Sequence, residues 1–219
     1  MEKQVIVFAT NNKNKLSEVR AILGERFEIK SLGEIGCNEE LPETHNTLEE
    51  NALEKALYVR QHYGYDCFAD DTGLEVDALC GQPGVFSARY ANMEDAEYDD
   101  PQMDKGQDHD SEANMRKLLY KMKGEENRRA QFRTVIALVY GGGEYMFHGV
   151  VKGEIATEKH GAEGFGYDPV FYPYLENPAI EEPKTLLPTT FAEMDGKEKN
   201  AISHRGRAVE QLVKWFADK

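Results

Sequence analysis

Cysteine and long apolar runs are scarce in this chain. Its 219 residues include three cysteines, Cys37, Cys67 and Cys80, and none of them stands in a C-x-x-C pair. An odd number of thiols without paired spacing argues against a disulfide framework and predicts free thiols in a reducing compartment. No apolar run approaches membrane-spanning length, and the first residues hold too short an apolar run for a signal peptide. We therefore expect a cytoplasmic protein without a membrane partner.

Basic residues are in the minority. The chain has 26 Lys and Arg against 40 Asp and Glu, which gives a formal net charge of -14. Charge of this sign repels long polyanions unless a local basic patch overcomes it, so a nucleic acid polymer is a poor candidate partner. A small anion held by a few lysines and a metal ion remains compatible. The length predicts a single domain over residues 1–219, with room for two lobes.

The apolar spacing in the first third of the chain alternates between strand and helix patterns. Residues 5–9 form an apolar run typical of a buried strand, and helical spacing follows it up to Gly24. Residues 27–30 predict a second strand. Thr47 and Glu50 have the spacing of a capping box, which predicts the start of a second helix.

Strand patterns dominate the middle of the chain. Residues 67–70 and 74–77 predict two strands on either side of a turn, and residues 130–140 and 144–158, joined by three glycines, predict a long hairpin. The proline-bearing residues 177–188 read as an irregular insertion to which we assign no role. The mixture of helix and strand predicts an α/β fold.

The first polar cluster lies between the first strand and the first helix. Its backbone amides, side-chain amides and ammonium groups would converge near a helix N-terminus, where an anion is stabilised. The loop suits a polyphosphate, but it lacks the glycines of a P-loop, and Asn and Lys are ordinary loop residues. Both interpretations stay open for its six members, Thr10, Asn11, Asn12, Lys13, Asn14 and Lys15.

The second cluster is an acidic pair at the end of an apolar strand. Consecutive strand side chains point to opposite faces, so one of Asp70 and Asp71 should dominate a site, and we choose Asp71 because it is next to the predicted turn. A carboxylate there could hold Mg²⁺ or accept a proton from water. The alternative is an aspartate that makes the turn before Gly73. Glu43 is a possible second oxygen ligand, although alone it would be an exposed loop acid.

The third cluster is Gly-Phe-Gly-Tyr-Asp-Pro at residues 164–169. Gly164 and Gly166 permit a close backbone approach to a ligand, and Phe165 or Tyr167 offers a flat face on which a base could stack. A tight aromatic turn is the competing interpretation.

The fourth cluster leads into the last helix, which is predicted from about Ser203. Lys199 could contact phosphate, and His204 and Arg205 could donate hydrogen bonds to a ligand. The competing interpretation is a capped helix with solvated charges, since a lone histidine is more often structural than catalytic.

Three segments carry a resemblance to a known family. They are FADDTGLEVDALCGQPGVFSARYA at residues 68–91, GFGYDPVF at residues 164–171 and AISHRGRA at residues 201–208. In this order, and together with the loop of the first cluster, they resemble the inosine/xanthosine triphosphate pyrophosphatase family, also called Ham1-like. The resemblance runs from Val5 to about Phe216.

The resemblance implies an elongated mixed β-sheet flanked by helices, with two lobes around a central nucleotide-binding cleft and a homodimeric assembly. It implies hydrolysis of deaminated purine nucleoside triphosphates, namely ITP, dITP and XTP, to the monophosphate and pyrophosphate, with Mg²⁺ as the cofactor. Asp71 looks like the general base and, with Glu43, a magnesium ligand. The substrate contacts that it implies are Thr10, Asn11, Asn12, Lys13, Asn14, Lys15, Thr72, Phe165, Gly166, Tyr167, Asp168, Lys199, His204 and Arg205.

The sequence departs from the family pattern in three places. Thr72 stands where serine is common, which keeps the hydroxyl. Asn11 and Asn14 stand where glycine is frequent, and the insertion at residues 177–188 is longer than typical.

Arg205 offers a physical rationale for base selection. Its guanidinium only donates hydrogen bonds, so it would complement the 6-oxo acceptor of hypoxanthine or xanthine and oppose the 6-amino group of adenine. Guanine also carries a 6-oxo group, so its rejection needs another contact.

Two other functions remain compatible with the sequence. One is a pyrophosphatase for modified pyrimidine or methylated nucleotides, and the other is a nucleotide-binding regulatory module without turnover. Two adjacent aspartates, Glu43 and several lysines argue against simple binding, which needs no acidic metal site facing an anion.

Overall fold

A computed structural model describes residues 3–94, 98, 109–175 and 185–218. The strands are β1 Gln4–Phe8, β2 Phe27–Lys30, β3 Cys67–Val76, β4 Pro83–Gly84, β5 Arg129–Tyr140, β6 Gly143–Ile155, β7 Phe171–Leu175 and β8 Thr185–Leu186. The α-helices are α1 Lys13–Leu23, α2 Leu48–Tyr63, α3 Ser111–Lys121, α4 Gly196–Ile202 and α5 His204–Ala217. Helices and a mixed sheet confirm the predicted α/β class.

The chain divides into two compact units, and the first comprises Met1–Thr72, Thr134–Val150 and Ser203–Lys219. Its strands follow the order β2, β1, β3, β5 and β6, and β1 pairs in parallel with both β2 and β3. Apolar side chains of β1, α1 and α5 pack together in one core cluster, which contains Ile6, Phe8, Val19, Leu23, Val209 and Leu212. α2 packs over a second cluster through Ala56 and Val59.

The second unit comprises Gly73–Arg133 and Val151–Ile202. It holds the remaining parts of β3, β5 and β6, followed by β7 and β8, and β4 pairs antiparallel with β3. Its core contains Leu74, Leu118, Phe132, Val151, Phe171 and Phe191. A single bilobal domain over residues 1–219 stays a prediction.

Several local predictions are confirmed. β2 covers the predicted residues 27–30. Thr47 is the N-cap of α2 and accepts from the backbone N–H of Glu50 at 3.2 Å, and Gly64 ends the helix with a φ of 76°. Ser203 is the N-cap of α5 and accepts from the N–H of Gly206 at 3.0 Å. The two N-caps satisfy backbone N–H groups through a side chain, and Gly64 ends its helix through a left-handed backbone conformation.

The predicted turn after Asp71 is wrong. β3 runs without a break from Cys67 to Val76. Gly73 has a different purpose, since a Cβ on it would lie 2.6 Å from the carbonyl oxygen of Gly84. The glycine therefore permits the close pairing of β3 with β4 rather than a change in chain direction.

Two further predictions need correction or lie partly outside the described residues. α1 begins at Lys13, so the second half of the predicted loop at residues 10–15 is the first helical turn. Residues 176–184, which include most of the predicted insertion at residues 177–188, lie outside the described part of the chain.

Among the described residues, no helix combines the length and the apolar character that crossing a bilayer requires.

Candidate active site

Asp70 lies at the centre of a buried ionic cluster in the first unit. Its side chain is 2% exposed. Its Oδ1 accepts from Lys15 Nζ at 3.0 Å, and its Oδ2 accepts from Arg205 Nε at 3.1 Å. Lys15 belongs to the first turn of α1 and Arg205 to the first turn of α5. One carboxylate of β3 therefore holds cations from two helices.

The charges of this cluster alter one another's protonation. Burial acts to raise the pKa of Asp70, but the nearby cations Lys15 and Arg205 outweigh it and hold that pKa below its ordinary value. Burial lowers the pKa of the Lys15 ammonium, against the attraction of Asp70. Asp70 is therefore a permanent anion at neutral pH and not a proton acceptor.

A glycine of β6 lets α5 approach closely enough to bring Arg205 to Asp70. A Cβ on Gly149 would overlap with the carbonyl oxygen of His204 and lie 2.7 Å from the backbone nitrogen of Ala208. Only a residue without a side chain fits between β6 and the start of α5.

Lys55 contacts both predicted metal ligands, Glu43 and Asp71. Its Nζ donates to Glu43 Oε1 at 2.6 Å and to the backbone oxygen of Asp70 at 2.9 Å, and it lies 3.8 Å from Asp71 Oδ1. Asn51, one turn earlier on α2, donates from Nδ2 to Asp71 Oδ2 at 3.4 Å. Glu43 and Asp71 therefore meet at one ammonium group.

Asp71 differs from Asp70 in its electrostatics. Burial raises the pKa of Asp71, Lys55 opposes that effect, and the like charge of Glu43 adds to it. For Lys55, burial acts to lower the pKa, but the carboxylates of Asp71 and Glu43 raise it overall. A carboxylate with a raised pKa beside a permanent cation is a competent proton acceptor.

Among the described residues, no group of three or more His, Cys, Asp and Glu side chains could by itself hold a metal ion. Glu43 and Asp71 nevertheless offer two hard oxygen donors at one place, and their side chains are 36% and 13% exposed. Magnesium is commonly held by one or two carboxylates together with substrate phosphates. The donor set fits that cation.

The predicted phosphate loop forms the N-terminus of α1. Asn12 accepts through Oδ1 from the N–H of Lys15 at 3.1 Å, and Thr10 Oγ1 accepts from the N–H of Asn12 at 3.1 Å. Asn11, Asn12 and Lys13 are exposed, and the side chain of Asn14 lies outside the described part of the structure. The exposed members surround a helix N-terminus, which favours anions.

Thr72 follows the acidic pair on β3 and contacts Asp70. Its hydroxyl lies 2.7 Å from the hydroxyl of Thr134 on β5 and donates to Asp70 Oδ2 at 3.4 Å. The hydroxyl shared with the serine of the family pattern therefore supports Asp70.

The second unit contains a separate cluster around Asp168. Asp168 Oδ2 accepts from Lys199 Nζ and from the backbone N–H of Phe165, both at 2.8 Å. The Lys199 ammonium lies 4.5 Å from the ring centroid of Phe165. A Cβ on Gly164 would overlap with Asp168 Oδ2, so the glycine is needed for this arrangement.

The two aromatic residues of this segment have different surroundings. Tyr167 is buried, and its hydroxyl donates to the backbone oxygen of Ser87 at 2.9 Å. Phe165 is half-buried. The Phe165 ring is therefore the better candidate for stacking on a base, with Gly166 between the two aromatics at a φ of 64°.

The residues of the fourth predicted cluster lie on two helices. Lys199 lies on α4 and donates to Asp168, whereas His204 and Arg205 begin α5, where both are buried. Arg205 donates to Asp70.

Sequence reasoning weighed Asp70 but preferred Asp71, and it missed three further polar residues of the first cluster, namely Asn51, Lys55 and Thr134. The helix pattern contained a signal for two of them. Asn51 and Lys55 are one turn apart and share the buried face of α2 with Ala52 and Ala56. Polar side chains on an otherwise apolar helix face usually have partners in the fold.

Comparison with known proteins gives concordant results. The model of the Ham1 family matches residues 6–215. A dITP/XTP pyrophosphatase of Flavobacterium johnsoniae is 50% identical over 208 residues, 95% of this chain and 95% of that protein. One of Porphyromonas gingivalis is 49% identical over 213 residues, 97% of this chain and 96% of that protein. The Ham1 protein of Staphylococcus aureus superposes with a TM-score of 0.79 at 35% identity, covering 98% of this chain and 99% of that one.

Proposed function

Because the chain belongs to the Ham1 family, we propose that it hydrolyses the deaminated purine nucleoside triphosphates ITP, dITP and XTP to the monophosphate and pyrophosphate. The observation that carries the proposal is the place of Asp71, whose carboxylate lies 3.8 Å from the Lys55 ammonium, which in turn contacts the Glu43 carboxylate at 2.6 Å. This arrangement provides a proton acceptor, a cation for phosphate oxygens and a second oxygen donor at one point.

The triphosphate contacts the N-terminal end of α1. The exposed side chains of Asn11 and Lys13 and the half-buried Lys15 supply hydrogen-bond donors and positive charge there. Asp71 accepts the proton of the attacking water, which adds to the α-phosphorus while pyrophosphate leaves.

Magnesium is the proposed cofactor, held by Glu43 and Asp71. The ion neutralises charge on the phosphate oxygens when it is bound. The Lys55 ammonium contacts the carboxylates of both Glu43 and Asp71. Negative groups for the magnesium ion and a positive group for the phosphates are therefore present side by side.

Base selection falls to Arg205. Its Nε donates to Asp70, which orients a guanidinium that carries only donors. Donors oppose the 6-amino group of adenine and complement a 6-oxo group. His204, Phe165, Gly166, Tyr167, Asp168 and Lys199 stay predicted substrate contacts.

The proposed setting is a homodimer in the cytoplasm. The three cysteines are free, with Cys37 and Cys67 buried and Cys80 exposed, which suits a reducing compartment.

The deciding measurement is pyrophosphate release from ITP, XTP, dITP, GTP and ATP, with magnesium present and then chelated. We expect rapid release from ITP, XTP and dITP that chelation abolishes, and slow release from GTP and ATP. Hydrolysis of ATP as fast as ITP would contradict the selectivity. Binding of these nucleotides without any release would favour a regulatory module, and a preference for modified pyrimidine or methylated nucleotides would favour a different pyrophosphatase.

A further inference from the structure

Asp70 accepts hydrogen bonds from two cations that have different predicted tasks. Lys15 is proposed to contact the triphosphate, and Arg205 is proposed to select the base. The side chains of Asp70 and Arg205 are 2% and 3% exposed, and that of Lys15 is 18% exposed. Water therefore screens these interactions weakly.

The geometry gives each carboxylate oxygen its own partner. Oδ1 receives the Lys15 ammonium and Oδ2 receives Nε of Arg205. The two oxygens belong to one planar group on a strand, so rotation of the carboxylate about its bond moves both at once. A guanidinium is planar and follows the orientation of the oxygen that it contacts.

The side chains of Asp70 and Asp71 contact different groups. Asp71, the next residue of β3, faces Lys55 and Asn51, whereas Asp70 faces Lys15, Arg205 and Thr72. Adjacent strand residues point to opposite faces. The acidic pair therefore divides into one residue for chemistry and one for positioning.

We propose that Asp70 is a positioning residue that links Lys15 to Arg205 and thereby couples recognition of the triphosphate to selection of the base. The proposal rests on the proposed function, because it assigns Lys15 to the phosphates and Arg205 to the base. Removal of the Lys15 ammonium frees Oδ1, so the carboxylate can rotate, and the guanidinium that it holds through Oδ2 loses its fixed orientation.

The coupling has a consequence that a simple phosphate contact does not share. ITP and ATP carry the same triphosphate, so the loss of a phosphate contact alone lowers kcat/KM for both by the same factor and leaves their ratio unchanged. Loss of a residue that orients Arg205 lowers the ratio itself.

The test compares Lys15→Met with the matched control Lys13→Met. Both lysines lie in the first turn of α1, but Lys13 is exposed and Lys15 contacts Asp70. We expect the ITP/ATP ratio of kcat/KM to fall by about fivefold or more in K15M, which is the lower range of measured couplings between sites. In K13M both values fall together and the ratio stays within about twofold of the wild-type ratio.

Asp70→Asn is a second variant that tests the coupling between Lys15 and Arg205. We expect this variant to lose the ITP/ATP preference at least as strongly as K15M, because it weakens the hold on both cations. Circular dichroism melts show which variants fold, and if D70N does not fold, the pair of lysine variants still decides. Unfolded K15M protein would leave D70N, measured against K13M, as the deciding variant.

The outcomes separate the coupling from the function on which it rests. A wild-type protein that does not prefer ITP over ATP would refute the proposed function, and the coupling would fail with it. A selective wild-type protein whose folded K15M and D70N variants keep the ITP/ATP ratio would overturn the coupling alone.

Discussion

Each unit of this chain has a polar cluster around a buried aspartate, and the two clusters differ in extent. In the first unit, charges of opposite sign alternate from Arg205 through Asp70 to Lys15, and Lys55 joins Glu43 to Asp71. In the second unit, Asp168 accepts from the Lys199 ammonium, which lies over the ring of Phe165. Alternating charges that include two adjacent carboxylates suit the binding of an anion and a cation and the transfer of a proton, whereas a buried ion pair beside a ring suits holding that ring in place.

The largest expected effect is a loss of catalysis when Asp71, the proposed proton acceptor of the first cluster, is replaced. Asp71→Asn should lower kcat for ITP by about a thousandfold, because the amide cannot accept the proton of the attacking water. Nucleotide binding, measured by calorimetry, should remain. Asp77→Asn, at an exposed carboxylate directly after the same strand, is the control and should keep full activity. Undiminished turnover in D71N would exclude Asp71 as the base.

The second prediction tests whether the Asp168 pair is structural. Asp168→Asn should destabilise the fold by about 3 kcal/mol, because it removes the carboxylate charge that lies 2.8 Å from the buried Lys199 ammonium. Urea unfolding measures the difference. The control is Lys159→Met, which removes an exposed contact with Glu112 whose side chains are 46% and 60% exposed. Its cost should be about 0.5 kcal/mol or less, and equal costs for both variants would remove the distinction between the buried and the exposed pair.

A third prediction concerns the approach of α5 to the first cluster. Gly149→Ala should destabilise the protein by about 2 kcal/mol, because the new methyl group forces the backbone at His204 away from β6. Gly33→Ala is the matched control, since its Cβ would meet nothing within 4 Å. Equal urea midpoints for the two variants would show that the backbone at His204 can move away from β6 without a loss of stability.

The smallest expected effect lies outside both clusters, at the exposed Glu39, which accepts hydrogen bonds from two tyrosines of α2. Tyr63 donates to Glu39 Oε1 at 2.7 Å and Tyr58 donates to it at 3.2 Å. The hydrogen bond from Tyr63 is the main cause that lowers the pKa of Glu39 to about 2, from an ordinary value of 4.5. The stabilisation by this carboxylate is therefore present above pH 4.5 and is lost as the pH falls towards 2.

Nuclear magnetic resonance titration of the Glu39 carboxyl group checks this prediction. Tyr63→Phe should raise the pKa of Glu39 towards 4.5, and Tyr58→Phe should raise it less. A larger rise in the Tyr58 variant would reverse the assigned order of the two hydrogen bonds.

The local parts of the fold were predictable from sequence because their causes are local. Thr47 and Ser203 cap helices through backbone groups three residues away, and Gly64 ends a helix through its own left-handed conformation. The strand at residues 27–30 follows from its own apolar alternation. The caps need no partner that is distant in sequence, and the strand, although it pairs with β1, shows its own alternation before any pairing is known.

The turn predicted after Asp71 was wrong because the glycine at position 73 is required by a contact with another strand. A glycine between two short apolar runs usually marks a turn, but here it makes room for the carbonyl oxygen of Gly84. The preference for Asp71 over Asp70 was argued from that turn. Asp71 stays the candidate base on different grounds, namely its neighbours Lys55 and Glu43.

The sequence by itself determined the helix caps, the α/β class and the motifs that carry the family resemblance, since each depends on residues close together in the chain. Only the tertiary structure decided that Asp70 lies between Lys15 and Arg205, which are 55 and 135 residues away from it. The same holds for Lys199, whose partner Asp168 is 31 residues away from it. Electrostatic interactions act through space, so their partners become known only when the chain has brought them together.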